Sequence, residues 1–297
     1  MRNLREEDML FGATLHNVKF LRHILKSLTI VEDVILEIEK GGMRLTVEDG
    51  LCIQASLFIP QEIFAEYYLK PQLDQVDTTI SFALNLSSLT NCLRMTSDED
   101  CKLIIIYSGA AYPLVLAFNR ATDSNIAIEA ELKTKSFSGA LNFHKHTMPN
   151  ECNTIIMKGI NFAMLFNEID VSSEEIAILL SPREPYFLLR ATGRVHAEAT
   201  VQVAKTSNTI VQFNCTQDLQ MRYRSSHIRF ASKCLAFAHT VALTIYNTGL
   251  LNIELLVNNC NPDATAARRA GSTTTHSNIL EEPTANLKYF ITPLLIE

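Results

Sequence analysis

His144 and His146 form an HxH, and His196-Ala197-Glu198 forms an HxE. Two imidazoles at that spacing could begin a zinc site, and an HxE is how zinc deaminases place a ligand beside a general acid–base. Neither constellation is completed. The HxH has no cysteine or carboxylate companion and reads as an exposed pair. No PCxxC follows the HxE. Carboxylates occur as adjacent pairs, Glu48-Asp49, Glu174-Glu175 and Glu281-Glu282. A metal-dependent nuclease needs several carboxylates converging on its ions, whereas neighbours on a strand point to opposite faces. No GxxxxGK[ST] is present, so a P-loop for ATP is not expected. The seven cysteines are scattered and never form a CxxC, which fits reduced thiols of the cytosol or nucleus. The expectation is a protein that is not an enzyme and carries no cofactor and no metal. One modification motif remains: Arg268-Arg269 precede Ser272 as in a basic-directed phosphorylation site.

The chemistry left is that of charge. The chain is acidic, with 32 Asp+Glu against 26 Lys+Arg and a net charge of -6. Yet "NVKFLRHILKSL" (17–28) holds Lys19, Arg22, His23 and Lys26 and no carboxylate. The i, i+3, i+4, i+7 spacing puts all four on one helical face. Solvated helices usually mix signs, because Glu–Lys pairs one turn apart stabilise them. A single-sign face is either a solvated surface or the mark of a partner of opposite charge. Arg94 lies late in a second helical segment, and Arg229 and Lys233 are one turn apart in a third.

These residues need elements to hold them. Val18, Leu21, Leu25 and Leu28 recur at helical spacing, with Asn17 as N-cap. "SSLTNCLRMT" (87–96), capped by Ser87 or Ser88, "INFAMLFNEID" (160–170) and "HIRFASKCLAF" (227–237) are the other helices; the third has no cation of its own and ends in Glu168 and Asp170. Arg222 and Arg224 stand just before the last helix. Almost everything else reads as short strands joined by tight turns such as Gly41-Gly42 and Asp49-Gly50, which implies antiparallel sheet. The order of elements repeats. Asn17 and Ile160 are 143 residues apart, as are Gly50 and Gly193, which suggests a duplication. The two halves are expected at 1–132 and 151–297, joined by a polar connecting loop at 133–150. A segment at 259–284, rich in Ala, Thr, Ser and Asn, reads as an insertion in the second half. No apolar run is long enough for a transmembrane helix, and the charged start does not resemble a signal peptide.

The sequence also resembles a known family. "LTVEDGLCIQASLFIPQEIFAEYYL" (45–69), "SFALNLSSLTNCLRM" (81–95), "YPLVLAF" (112–118), "FNEIDVSSEEIAILLSP" (166–182) and "SPREPYFLLRATG" (181–193) are similar to segments of the DNA sliding-clamp family. The closest resemblance is to the Rad-one subunit of the heterotrimeric (nine-one-one) DNA-damage checkpoint clamp. It runs in order over nearly the whole chain.

The resemblance implies an α+β, duplicated clamp fold: two similar halves, antiparallel sheets outside, two short helices each inside. It implies a non-catalytic nuclear subunit that closes into a ring with two sister clamp subunits around double-stranded DNA. A clamp loader driven by ATP would place it at damaged or stalled sites, where it would serve checkpoint kinase signalling and repair proteins. No membrane is involved. Lys19, Arg22, His23, Lys26, Arg94, Arg229 and Lys233 would then face DNA through sequence-independent phosphate contacts. The last strand of the first half, with Ile126, Ile128 and Glu129, would pair with a neighbour's 195–203, whose Val195, Ala197, Ala199 and Val201 form an apolar face. Phe137, Leu141, Phe143 and Met148 in the connecting loop either adjoin a partner-peptide pocket or anchor the loop to the sheet. A homotrimeric replication clamp and, further off, a metal-dependent DNA exonuclease are the alternative readings.

Overall fold

The computed structural model describes residues 9–71, 79–95, 101–120, 127–137, 152–169, 173–192, 198–204, 208–259 and 283–294. Two compact units emerge from its contacts. The first takes residues 1–47, 57–139 and 258–285; the second takes 48–56, 140–257 and 286–297.

Along the first half of the chain the order is β1 (Phe11–Leu15), α1 (Val18–Leu25), β2 (Asp33–Glu39), β3 (Gly42–Asp49), β4 (Ile53–Pro60), β5 (Glu66–Leu69), β6 (Ile80–Asn85), α2 (Leu86–Arg94), β7 (Cys101–Tyr107), β8 (Leu114–Arg120), β9 (Ala127–Leu132) and β10 (Lys135–Ser136). One sheet runs β5-β1-β7-β8-β9, and a second run of strands is β10-β6-β2-β3-β4. The turn signals act as expected: Glu39 pairs with Gly42 across a two-residue loop, and Gly50 takes φ +56 in the turn after β3. Strict alternation buries Leu103, Ile105 and Tyr107 on one face of β7, and Val34, Leu36 and Ile38 on one face of β2. Both helices lie on these strands, α1 against β7 and α2 against β6 and β9.

The second unit repeats this: β11 (Cys152–Lys158), α3 (Gly159–Asn167), β12 (Glu175–Leu180), β13 (Phe187–Thr192), β14 (Glu198–Val203), β15 (Ile210–Asn214), β16 (Leu219–Arg224), α4 (Ser225–Leu235), β17 (Ala238–Tyr246), β18 (Leu251–Asn258) and β19 (Thr284–Ile291). The run β15-β11-β17-β18-β19 copies β5-β1-β7-β8-β9, and the sheet β14-β13-β12-β16 copies β4-β3-β2-β6 strand for strand. Here α3 rests on β11 and β17, and α4 on β16 and β17. The duplicated α+β clamp architecture is therefore present, with antiparallel sheets and short helices.

The spacing is looser than one constant offset. α1 and α3 begin at 18 and 159, 141 residues apart, while β7 and β17 begin at 101 and 238, 137 apart. Loops absorb these differences, since lengthening a connection costs little entropy. Other expectations need correction. The helix at 17–28 is α-helical only to Leu25 and finishes as a 3-10 turn, Lys26–Leu28. The second helix is capped by Asn85, whose Oδ1 accepts from Ser88 N, rather than by Ser87 or Ser88. β1 and β5 do not stand out by composition; they form because β1 is flanked by β5 and β7 in register. β10 is two exposed residues, held by pairing with β6 and by a Lys135–Asp33 ion pair of 2.6 Å. Gly193 and most of 259–284 lie outside the described residues.

Candidate nucleic-acid interface

The basic face of α1 exists because its other face is buried. Val18, Phe20, Leu21, Ile24 and Leu25 are in the core, with Leu28 behind them. Each such side chain contributes roughly 1.5–3 kcal/mol by leaving water, so the helix cannot roll. Asn17 fixes its start: Oδ1 accepts from Phe20 N at 3.0 Å, and Nδ2 donates to the Asn259 carbonyl at 3.3 Å. Asn17→Ala is expected to lower stability by about 1 kcal/mol in urea unfolding; an unchanged midpoint would show that the cap contributes nothing.

Lys26 is exposed, and Lys19, Arg22 and His23 are half-buried. His23 Nδ1–H donates to the Lys19 carbonyl at 2.7 Å, so this ring is turned back on its own helix. Arg22 and His23 lie in the last turn, where cations oppose the helix dipole favourably. On α2, Arg94 is exposed beside Ser87, Ser88 and Asn91. α1 and α2 pack against each other in the first unit.

The second unit is different. α3 carries no cation and leaves Met164 60% exposed. On α4, Arg229 Nη2 donates to the Ser173 carbonyl at 3.3 Å, so it also secures the approach to β12. The Lys233 ammonium sits 4.7 Å from the Phe230 ring centre, and burial pushes its pKa down. His227 is held below the ordinary histidine value, first by burial and then by Arg224, against the pull of Asp49. It is neutral near pH 7 and adds no charge. Among the four helices the cations are thus concentrated on α1 and the turn that ends it. Arg222 and Arg224, which the sequence places just before the last helix, sit on β16 with their side chains opposite to buried Tyr223, not on the helical face.

The strand edges follow from the sheet orders. Among the described residues β9 ends one sheet and β14 another, each paired on one side, with β8 and β13. Ile128 is half-buried and Glu129 exposed on β9; Ala199 and Val201 are half-buried on β14. Ile126, Val195 and Ala197 lie outside the described residues. So do Leu141, Phe143 and Met148; Phe137 is half-buried next to β10. In the second unit β19 lies between β18 and the start of β4, where Thr292 N donates to the Cys52 carbonyl at 3.0 Å.

Among the described residues, two of the adjacent carboxylate pairs have a member engaged in other contacts. Glu48 accepts from Gln54 Nε2 at 3.0 Å, across a hairpin. Glu175 faces Arg222. No group of three or more potential metal-ligating side chains occurs among the described residues, and no described helix is long and apolar enough to cross a membrane. His144, His146, His196, Ser272 and the Glu281-Glu282 pair lie outside the described residues.

Residues 10–257 match the family described as repair protein Rad1/Rec1/Rad17. The chain is 30% identical to the DNA repair protein Rad1 of Drosophila melanogaster over 250 residues, covering 84% of this chain and 89% of that one. It is 27% identical to the cell cycle checkpoint protein RAD1 of Homo sapiens over 265 residues, covering 87% and 90%. Identity to the DNA damage checkpoint control protein rad1 of Schizosaccharomyces pombe is 22% over 271 residues, covering 84% and 81%.

Proposed function

Because the chain belongs to the Rad1/Rec1/Rad17 repair-protein family, we propose that it is a subunit of a DNA-damage checkpoint clamp. In this reading it is a nuclear, non-catalytic chain that joins two different sister subunits in a ring around duplex DNA. An ATP-dependent loader places the ring, and checkpoint and repair proteins use it as a platform. In it the halves at 1–132 and 151–297, joined by the connector at 133–150, each give two helices to the inner surface.

One observation supports the ring above the others. The two halves share one strand order, and among the described residues β9 and β14 each end their sheet, paired on one side only. A β9 of one subunit and a β14 of the next can therefore pair with each other. Such edges in a protein need a partner, since an open row of backbone groups is a template for association. Phosphate contacts from Lys19, Arg22 and Lys26 would then hold DNA without reading its sequence.

The test is assembly. The purified chain alone should have the solution mass of a monomer and enter a larger particle only when two different clamp chains are supplied. A stable homotrimer of this chain would overturn the reading.

A further inference from the structure

The sheet β14-β13-β12-β16 turns one face to the core, with Ile176, Ile178, Leu180, Leu189 and Tyr223 at 0–1% exposure. Its other face carries arginines. In register across three strands stand Arg190, Ala177 and Arg222. In the next row Arg224 pairs with Glu175. Arg190, Arg222 and Arg224 are all exposed, on a chain whose net charge is -6. Adjacent strands are about 4.8 Å apart, so the α-carbons of Arg190 and Arg222 are roughly 10 Å apart. Only an alanine stands between them. Arginine side chains rising from α-carbons at that separation are long enough to converge on one tetrahedral or planar anion, each with paired N–H donors.

The charge pattern limits what that anion belongs to. Glu175 Oε2 lies 3.9 Å from Arg222 Nη1, so a continuous phosphate backbone would meet a carboxylate one row from the arginine pair. A single anionic side chain would not. An isolated anionic side chain is what a peptide carries. β16 ends its sheet, and Leu294 N donates to the Arg222 carbonyl at 2.8 Å. The edge at Arg222 is therefore taken by the chain's own backbone, and a partner meets the arginine row from the sheet face.

We propose that the Arg190–Ala177–Arg222 row is a docking site for one phosphorylated or carboxylate side chain on an extended partner peptide. The site lies on the sheet face, separate from the helical surface, and does not depend on how the ring is built. Two arginines hold the anion, and Glu175 excludes a polyanion.

Arrays of degenerate peptides fixed at one position as phosphoserine, glutamate or serine, probed with the full chain, test this. Phosphoserine peptides should be retained above their serine counterparts, with glutamate between. Arg190→Ala and Arg222→Ala should each weaken the best phosphoserine peptide about tenfold or more, with the unfolding midpoint unchanged. Arg190→Lys should recover only part of the loss, because an ammonium cannot pair its donors on one anion. Equal retention of all three arrays would overturn the proposal. So would binding that ignores both substitutions, or an arginine effect seen on duplex DNA and not on peptide.

Discussion

Replacing Lys19, Arg22 and Lys26 together by glutamate is expected to remove most of the DNA affinity contributed by this chain in the assembled clamp. Three phosphate contacts carry a salt slope of about 0.9 each, so the slope of log K against log salt should flatten by roughly 2.7. Reversal goes further than loss, because each glutamate repels the backbone it replaces a contact to. The fold should survive. These three side chains lie on the exposed or half-buried side of α1, while Phe20, Leu21, Ile24 and Leu25 hold the helix. Acids near the helix C-terminus cost only about 0.3–1 kcal/mol each. The corresponding glutamines separate the two effects: they should flatten the slope with a smaller loss of affinity. Fluorescence anisotropy with duplex DNA across a salt series measures both. Unchanged affinity and slope would mean that the face is merely solvated. Reversing Lys233 alone should do much less, since its ammonium already lies over Phe230.

Gly159→Ala is expected to destabilise the chain by about 3 kcal/mol or more, although alanine favours a helix over glycine by about 1 kcal/mol. Gly159 is the first residue of α3. A Cβ there would fall 2.1 Å from the Ala238 carbonyl oxygen and 2.6 Å from that of Leu235. Both obstacles are backbone, at the junction of α4 and β17, so no rotamer change relieves them. Either α3 withdraws from β17 or the junction shifts, and overpacking on that scale outweighs the propensity gain. For a protein of this size the melting temperature should fall by roughly 6–12 °C. Gly41→Ala is the matched control. Nothing lies within 4 Å of a Cβ at Gly41, and that substitution should stay within about 0.5 kcal/mol. Thermal unfolding of both variants decides the matter; equal midpoints would show that α3 does not sit this close to the junction.

The four helices, most strands and the duplication were legible because their signals are local. Leu21, Leu25 and Leu28 recur at 3.6-residue spacing, and β7 alternates residue by residue. The single-sign face of α1 follows from the same periodicity, since residues on one helical face are fixed by number alone. The family was legible for a different reason: its signal is spread in order along the chain rather than held in one motif.

Other features were decided only when distant segments met. β1 and β10 are strands because of what pairs beside them, at β7 and β6. Arg222 and Arg224 look like companions of α4 by sequence, but a strand sends alternate side chains to opposite faces, and burial of Tyr223 commits both arginines to the other face of the sheet. Arg190 is more than thirty residues from Arg222, yet both pair with Ala177. Arg229 was counted as a cation for DNA, and folding gave it the Ser173 carbonyl as well. Periodicity assigns a residue to a face of its own element. Which faces adjoin, which edges stay open and which charges meet depends on contacts between residues far apart in the chain, and those exist only in the folded molecule.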